Sequence, residues 1–118
     1  MLRASAKAVG MTVDLRAVVD SKVDSGIPNG SEILAFADTV TGNNVVALSV
    51  ARAELRRVLG PGALAQSAAI AANFSMNDRA ANAIGMVLES MFVRDSVDYR
   101  AALGIDNYPS ALNSLKPK

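Results

Sequence analysis

Apolar residues recur three and four positions apart along most of the chain, which is the spacing of one face of an α-helix. The clearest run starts near Val45 and consists of Leu48, Ala51, Leu55, Val58 and Leu59. Segments that alternate strictly between apolar and polar residues, as half-buried strands do, are absent from the sequence. The pattern predicts an all-α fold, a compact multi-helix bundle in which 1–118 forms a single helical domain.

Glycines and capping residues divide the start of this pattern into short helices. The first is predicted over 2–9 and ends at Gly10, a residue suited to a left-handed cap. Thr12 is predicted to cap a second helix, and 24–30 (DSGIPNG) is predicted to be a loop. The apolar positions of the second helix are Leu15, Val18 and Val19.

Two further helices are predicted before the middle of the chain. Ser31 is expected to cap the third helix, which Gly42 ends. The fourth is the clear apolar run described above, and Gly60 closes it. Pro61 suits the first turn of a new helix, because a missing N–H costs nothing there. The apolar face of the third helix comprises Ile33, Phe36, Ala37 and Val40.

The longest predicted helix spans 61–84 and ends before Gly85. Beyond it, Ser96 is expected to cap a small helix over 97–103. The tail from about residue 105 is predicted to be partly extended. The long helix is therefore the expected centre of the domain.

The charge and hydropathy of the chain limit its expected partners. A net charge of +1 over 118 residues is too weak to predict binding to nucleic acid or to an anionic membrane. Apolar runs are interrupted within a few residues, so no membrane span is predicted. The opening MLRASAKAVG loosely resembles a transit peptide, but an ordinary helix ending at Gly10 is the preferred interpretation. A cytoplasmic location fits these features.

The sequence contains no Cys and no His. The first absence excludes disulfides, thiolate catalysis and Cys-ligated zinc within this chain. The second removes the usual general base at neutral pH and the commonest metal ligand. We therefore assign no catalytic residue, no cofactor and no metal ligand.

The long helix carries the main candidate site. On a helical wheel, Asn73 and Asn77 fall within an apolar stripe, whereas Asp78 and Arg79 lie on the polar side. A buried amide without a hydrogen bond costs about 1–3 kcal/mol. We expect the two amides to tie the helix to a neighbouring loop or subunit; the alternative is that they line a small polar cavity. The four residues define a candidate polar pocket or interface.

The other charged clusters are expected to lie on the solvent-exposed surface. Asp20 and Asp24 are four residues apart and resemble a carboxylate pair, but both are expected to be solvated. A basic spot is interpreted as a solvated helix face, with a phosphate-binding patch as the alternative. It contains Arg52, Arg56 and Arg57, with Glu54 among them.

The stretch 54–86 resembles the C-terminal part of the carboxymuconolactone decarboxylase / alkylhydroperoxidase D-like family. That family often carries an N-F-x-x-x-N-R-x-A-x-x-x-G pattern at the end of a helix. The matching residues here are Asn73, Phe74, Asn77, Arg79, Ala80 and Gly85, with Asp78 inserted before the Arg. The segments RASAKAVGM and RAALGIDNYPSA are also similar to parts of the family, so the resemblance covers most of the chain.

The resemblance implies an alkylhydroperoxidase D-like helical fold that assembles as trimers or hexamers. In the family's redox branch it also implies peroxide reduction by a C-x-x-C pair. That motif would precede the RASAKAVGM segment, so the bundle is expected to be incomplete at its N-terminus. The His of the decarboxylase branch is absent as well.

Three origins are compatible with these features: a fragment, a short non-catalytic member, or a chain whose site a second polypeptide completes. Two functions follow. The first is a peroxidase-like domain whose chemistry is lost or is supplied by another polypeptide. The second is a helical assembly or small-ligand-binding module that has no redox role. A weaker third hypothesis is a carboxylate-based lyase in which Arg79 holds an anionic substrate. Homo-oligomerisation is expected on physical grounds too, because the helix between Ala63 and Ala72 is apolar over most of its circumference.

Overall fold

A computed structural model describes residues 2–115, and these residues form helices and turns without a strand. The α-helices are α1 (Leu2–Ala8), α2 (Gly30–Thr41), α3 (Val45–Ala83), α4 (Ser90–Asp95), α5 (Val97–Leu103) and α6 (Leu112–Leu115). Short 3-10 turns cover Leu15–Val18, Ile105–Asn107 and Pro109–Ala111. The prediction of an all-α fold is confirmed.

The chain divides into two units, 1–75 and 76–118, with the boundary inside α3. Each unit has its own internal contacts and is described by itself below. The prediction of a single domain over 1–118 stays a prediction.

In the first unit, two of the predicted helix starts are wrong. Asp14, not Thr12, caps the second helical segment: its carboxylate accepts the backbone N–H of Arg16 at 2.9 Å, and only one 3-10 turn follows. Helix α2 begins at Gly30, so Ser31 lies inside it, and its hydroxyl donates to the Glu32 carboxylate instead of capping the backbone. The helix ends at Gly10 and Gly42 are confirmed.

The apolar interior of the first unit is small. The apolar residues buried there are Ala6, Ala17, Phe36 and Leu55, and Leu55 alone is fully buried. The predicted stripe around Leu55 is confirmed, since its other members are half-buried. The predicted face of α2 is confirmed only at its centre, because Phe36 is buried while Ile33 is 37% exposed.

Gly60 interrupts α3 where the sequence predicts one helix to end and another to begin. Its backbone has φ 86° and ψ 171°, a combination that residues with a Cβ rarely adopt. Pro61 follows directly, and its ring disfavours a helical conformation at the preceding residue. The Gly60–Pro61 pair therefore sets where the second helical part of α3 starts.

The second unit contains α4 to α6 and the end of α3. Helix α5 has the predicted bounds and ends at Gly104, whose φ is 65°. Ser96 is not a side-chain cap of α5, because its hydroxyl donates backward to the Phe92 carbonyl at 2.6 Å. In place of an extended tail, the chain from Ile105 to Leu115 forms two 3-10 turns and α6, and the Ser114 hydroxyl accepts the Leu88 N–H at 2.8 Å.

The substitution Gly60→Ala is expected to lower the free energy of unfolding by about 1–3 kcal/mol, because alanine is strained at this φ and ψ. Gly62→Ala is the matched control: it lies in helical backbone with open space around its Cα and should raise stability by about 0.5–1 kcal/mol. Urea unfolding followed by circular dichroism measures both. Equal stabilisation by the two substitutions would contradict this account of the interruption.

Candidate functional site

The four predicted site residues all lie on the exposed surface of α3. Asn73 belongs to the first unit, and Asn77, Asp78 and Arg79 belong to the second. Within residues 2–115, none of the four makes a side-chain hydrogen bond or an ion pair, and none lines a described pocket. The polar pocket or interface predicted for these four residues stays a prediction.

The half-buried positions on this part of α3 are mostly small residues. Four of them, spaced four apart as one helix face requires, are Ala63, Ser67, Ala71 and Ser75, and Leu64 is half-buried as well. Ile70 and Phe74 are instead 59% and 62% exposed. The stripe expected to embed the Asn73 amide is thus open to solvent in the single chain, and the amide pays no desolvation cost there.

Large exposed apolar side chains are numerous beyond this stripe. Those on or after the second part of α3 include Met76, Ile84, Met86, Val87, Leu88, Met91 and Phe92. Each of these side chains is at least half exposed. A single copy of the chain therefore leaves many apolar side chains in contact with solvent.

Several arginines are paired with acidic side chains nearby in the sequence. Arg16 pairs with Asp14 at 2.5 Å and Arg57 with Glu54 at 2.5 Å, both at exposed positions. The hydrogen bonds from Arg16 lower the pKa of Asp14 to about 2. The Arg57 side chain likewise lowers the pKa of Glu54.

The basic spot on α3 is the solvated helix face that the sequence predicts. Arg52, Arg56 and Arg57 are exposed beside an open depression of about 530 Å³. Glu54 compensates part of the positive charge through its pair with Arg57. A compensated, open surface of this kind offers an anion no enclosed site.

Asp20 and Asp24 do not form a carboxylate pair. The 3-10 turn ends at Val18, so the two residues share no helix face. Each instead closes its own turn: Asp20 accepts the Lys22 N–H and Asp24 accepts the Gly26 N–H, both at 2.9 Å. Their predicted exposure is confirmed.

Two further concave regions lie within single units. The first unit has an open depression of about 840 Å³ between the segment 17–31 and α2. The second unit has a smaller, mainly apolar pocket of about 320 Å³ between the end of α3 and the turns that follow α5.

Sequence reasoning missed the most buried charge of the second unit, Arg100, which lines the smaller pocket. Its Nε donates to Asp106 Oδ1 at 2.8 Å across the turn at Gly104. The sequence signal for this ion pair was an arginine in the last turn of a helix, followed by Gly104 and then Asp106. Because the tail was predicted to be extended, Arg100 and Asp106 were not expected to meet.

Within residues 2–115, no cluster of three or more acidic side chains is arranged to hold a metal ion. In the same part of the chain, none of the helices has both the length and the apolar character that a membrane span needs. Compared with known proteins, the chain matches no family model, no curated sequence and no solved structure. A function for this chain is therefore inferred from its own residues.

The Asp14–Arg16 pair yields a pH prediction. The folded-state pKa of Asp14, about 2, lies below its ordinary value of 3.8. The stabilisation it provides is therefore complete above pH values near 4 and is lost as the pH falls toward 2. Carboxyl NMR titration should show the pKa of Asp14 raised toward its ordinary value in Arg16→Gln, where only the backbone N–H still donates, and should show it unchanged in the control Arg57→Gln. An unchanged Asp14 titration in Arg16→Gln would refute the pairing.

Proposed function

We propose that this chain is a helical assembly module, a non-catalytic member of the carboxymuconolactone decarboxylase / alkylhydroperoxidase D-like family that acts in the cytoplasm. Copies of the same chain cover apolar side chains of α3 that a single copy leaves exposed, Ile70 and Phe74 among them. The amides of Asn73 and Asn77 lie at the edge of that contact and pair with the neighbouring subunit.

The observation that carries this proposal is the uncovered surface. A standard interface buries about 800 Å² on each partner, and obligate interfaces bury more and are more apolar. Ile70 and Phe74 are more than half exposed in one copy, and apolar and aromatic side chains of this kind are what such interfaces bury. They support self-association, and the family resemblance implies that the assembly is a trimer or hexamer.

The absence of Cys and His supports assembly rather than catalysis as the role of this polypeptide. Peroxide reduction of the family's kind needs a thiolate, and the chain supplies none. The pKa values of Asp14 and Glu54 are lowered, so both carboxylates are poor proton acceptors near neutral pH.

The double substitution Ile70→Glu/Phe74→Glu is expected to shift the chain to monomer. Both side chains are more than half exposed in one copy, so charge there opposes association while the fold is kept. Ala68→Glu is the matched control, because it lies on another side of α3 and is also exposed. Sedimentation velocity at micromolar concentration should give oligomer for the control and monomer for the double variant. If the double variant and the control form the same oligomer, the face of α3 that carries Ile70 and Phe74 does not lie at the interface.

A second measurement separates assembly from peroxidase activity. The purified chain is expected to show no peroxide consumption with a dithiol reductant above a heat-inactivated control, because it has no thiol to be oxidised. Turnover above that control would refute the non-catalytic role, whatever the oligomeric state.

A further inference from the structure

The smaller pocket of the second unit combines apolar walls with the charged donor Arg100, and its lining also includes the polar residues Asn82, Tyr108, Ser110, Asn113 and Ser114. Its volume of about 320 Å³ is at the lower end of ordinary small-molecule sites. The apolar walls come from Met86, Val87, Leu88, Ile105, Ala111 and Leu115. Arg100 and Asp106 bring a complementary pair of charges to the same pocket.

A network of hydrogen bonds holds the Arg100 side chain in place. Arg100 is only 7% exposed. Its Nη1 donates to the Val93 carbonyl and to the Ser96 hydroxyl, both at 2.5 Å, and Ser96 in turn donates to Phe92. Because the guanidinium is fixed on one side, ordering it for a ligand costs little further entropy.

One part of the guanidinium is left for a ligand. Within residues 2–115, Nη2 of Arg100 has no hydrogen-bond partner. No fully buried side-chain nitrogen or oxygen among these residues lacks a partner, so Nη2 is accessible rather than sealed. Arg100 lines the pocket, and Nη2 is the guanidinium nitrogen that its partners within residues 2–115 leave for a molecule that enters it.

Asp106 determines whether the pocket favours a charged or an uncharged molecule. Its Oδ1 accepts from Arg100 Nε at 2.8 Å, and its side chain is 39% exposed. The carboxylate neutralises the guanidinium, so a second carboxylate in the pocket would meet repulsion from Asp106. A neutral carbonyl group accepts from Nη2 without that repulsion.

We propose that this pocket binds a small uncharged carbonyl compound with an apolar body, of which a medium-chain aliphatic carboxamide is the simplest form. The carbonyl oxygen accepts from Arg100 Nη2, and the alkyl chain packs against the apolar walls. The Asp106 carboxylate sets the preference for amide over acid. This site does not depend on the assembly role proposed above.

Calorimetric titration of the full chain with hexanamide and with hexanoate tests the proposal. The wild type is expected to bind hexanamide about tenfold more tightly than hexanoate. Asp106→Asn keeps an acceptor for Arg100 Nε but removes the negative charge, so it should reverse the order. Asp95→Asn is the matched control: it makes the same charge change at an exposed position of the same unit outside the pocket, and should keep the wild-type order.

A second variant keeps the test decisive if Asp106→Asn does not fold. Ala111→Leu fills the apolar end of the pocket without altering the Arg100 hydrogen bonds and should abolish binding of hexanamide. Amide chemical-shift changes in the wild type should be confined to pocket residues such as Val87, Ile105 and Ala111. Failure of hexanamide to bind, tighter binding of hexanoate to the wild type, or binding retained in Ala111→Leu would overturn the proposal.

Discussion

The burial of apolar side chains is the interaction on which the rest of this structure depends, and a single copy of the chain supplies too little of it. Half of the residues are hydrophobic, yet the apolar residues buried in the described chain are two alanines, Phe36 and Leu55. On α3 the small residues Ala63, Ser67, Ala71 and Ser75 are half-buried, whereas Ile70 and Phe74 are exposed. Because apolar burial dominates folding and association alike, this exposed apolar surface is the basis of the proposed self-association.

Polar groups stabilise the structure where apolar burial is thin. In the second unit, Arg100 joins α5 to the end of α4 and to Asp106 in the following turn. Such a network fixes short helices that have little apolar interior of their own. Arg100 also lines the pocket of the second unit, so the same side chain supports the local fold and takes part in the proposed binding site.

Local features of the sequence predicted the fold well, and non-local contacts account for most of the errors. The Gly60–Pro61 break follows from the backbone preferences of two adjacent residues, so it was predictable from the sequence. The cap at Asp14 was missed because Thr12 is an equally good capping residue and only the fold selects between them. The Arg100–Asp106 pair depends on the chain reversing at Gly104, which helical periodicity does not reveal. Asn73 and Asn77 are both exposed in the single chain, so the contacts predicted for their amides could not be checked against its own residues.

The most direct test of self-association is the molar mass of the unmodified protein in solution, measured by static light scattering across a dilution series. The account predicts a mass that is a multiple of 12.3 kDa and stays constant down to low micromolar concentration. A stable, folded species of 12.3 kDa throughout the series would contradict it, because the uncovered apolar surface would then need no second copy.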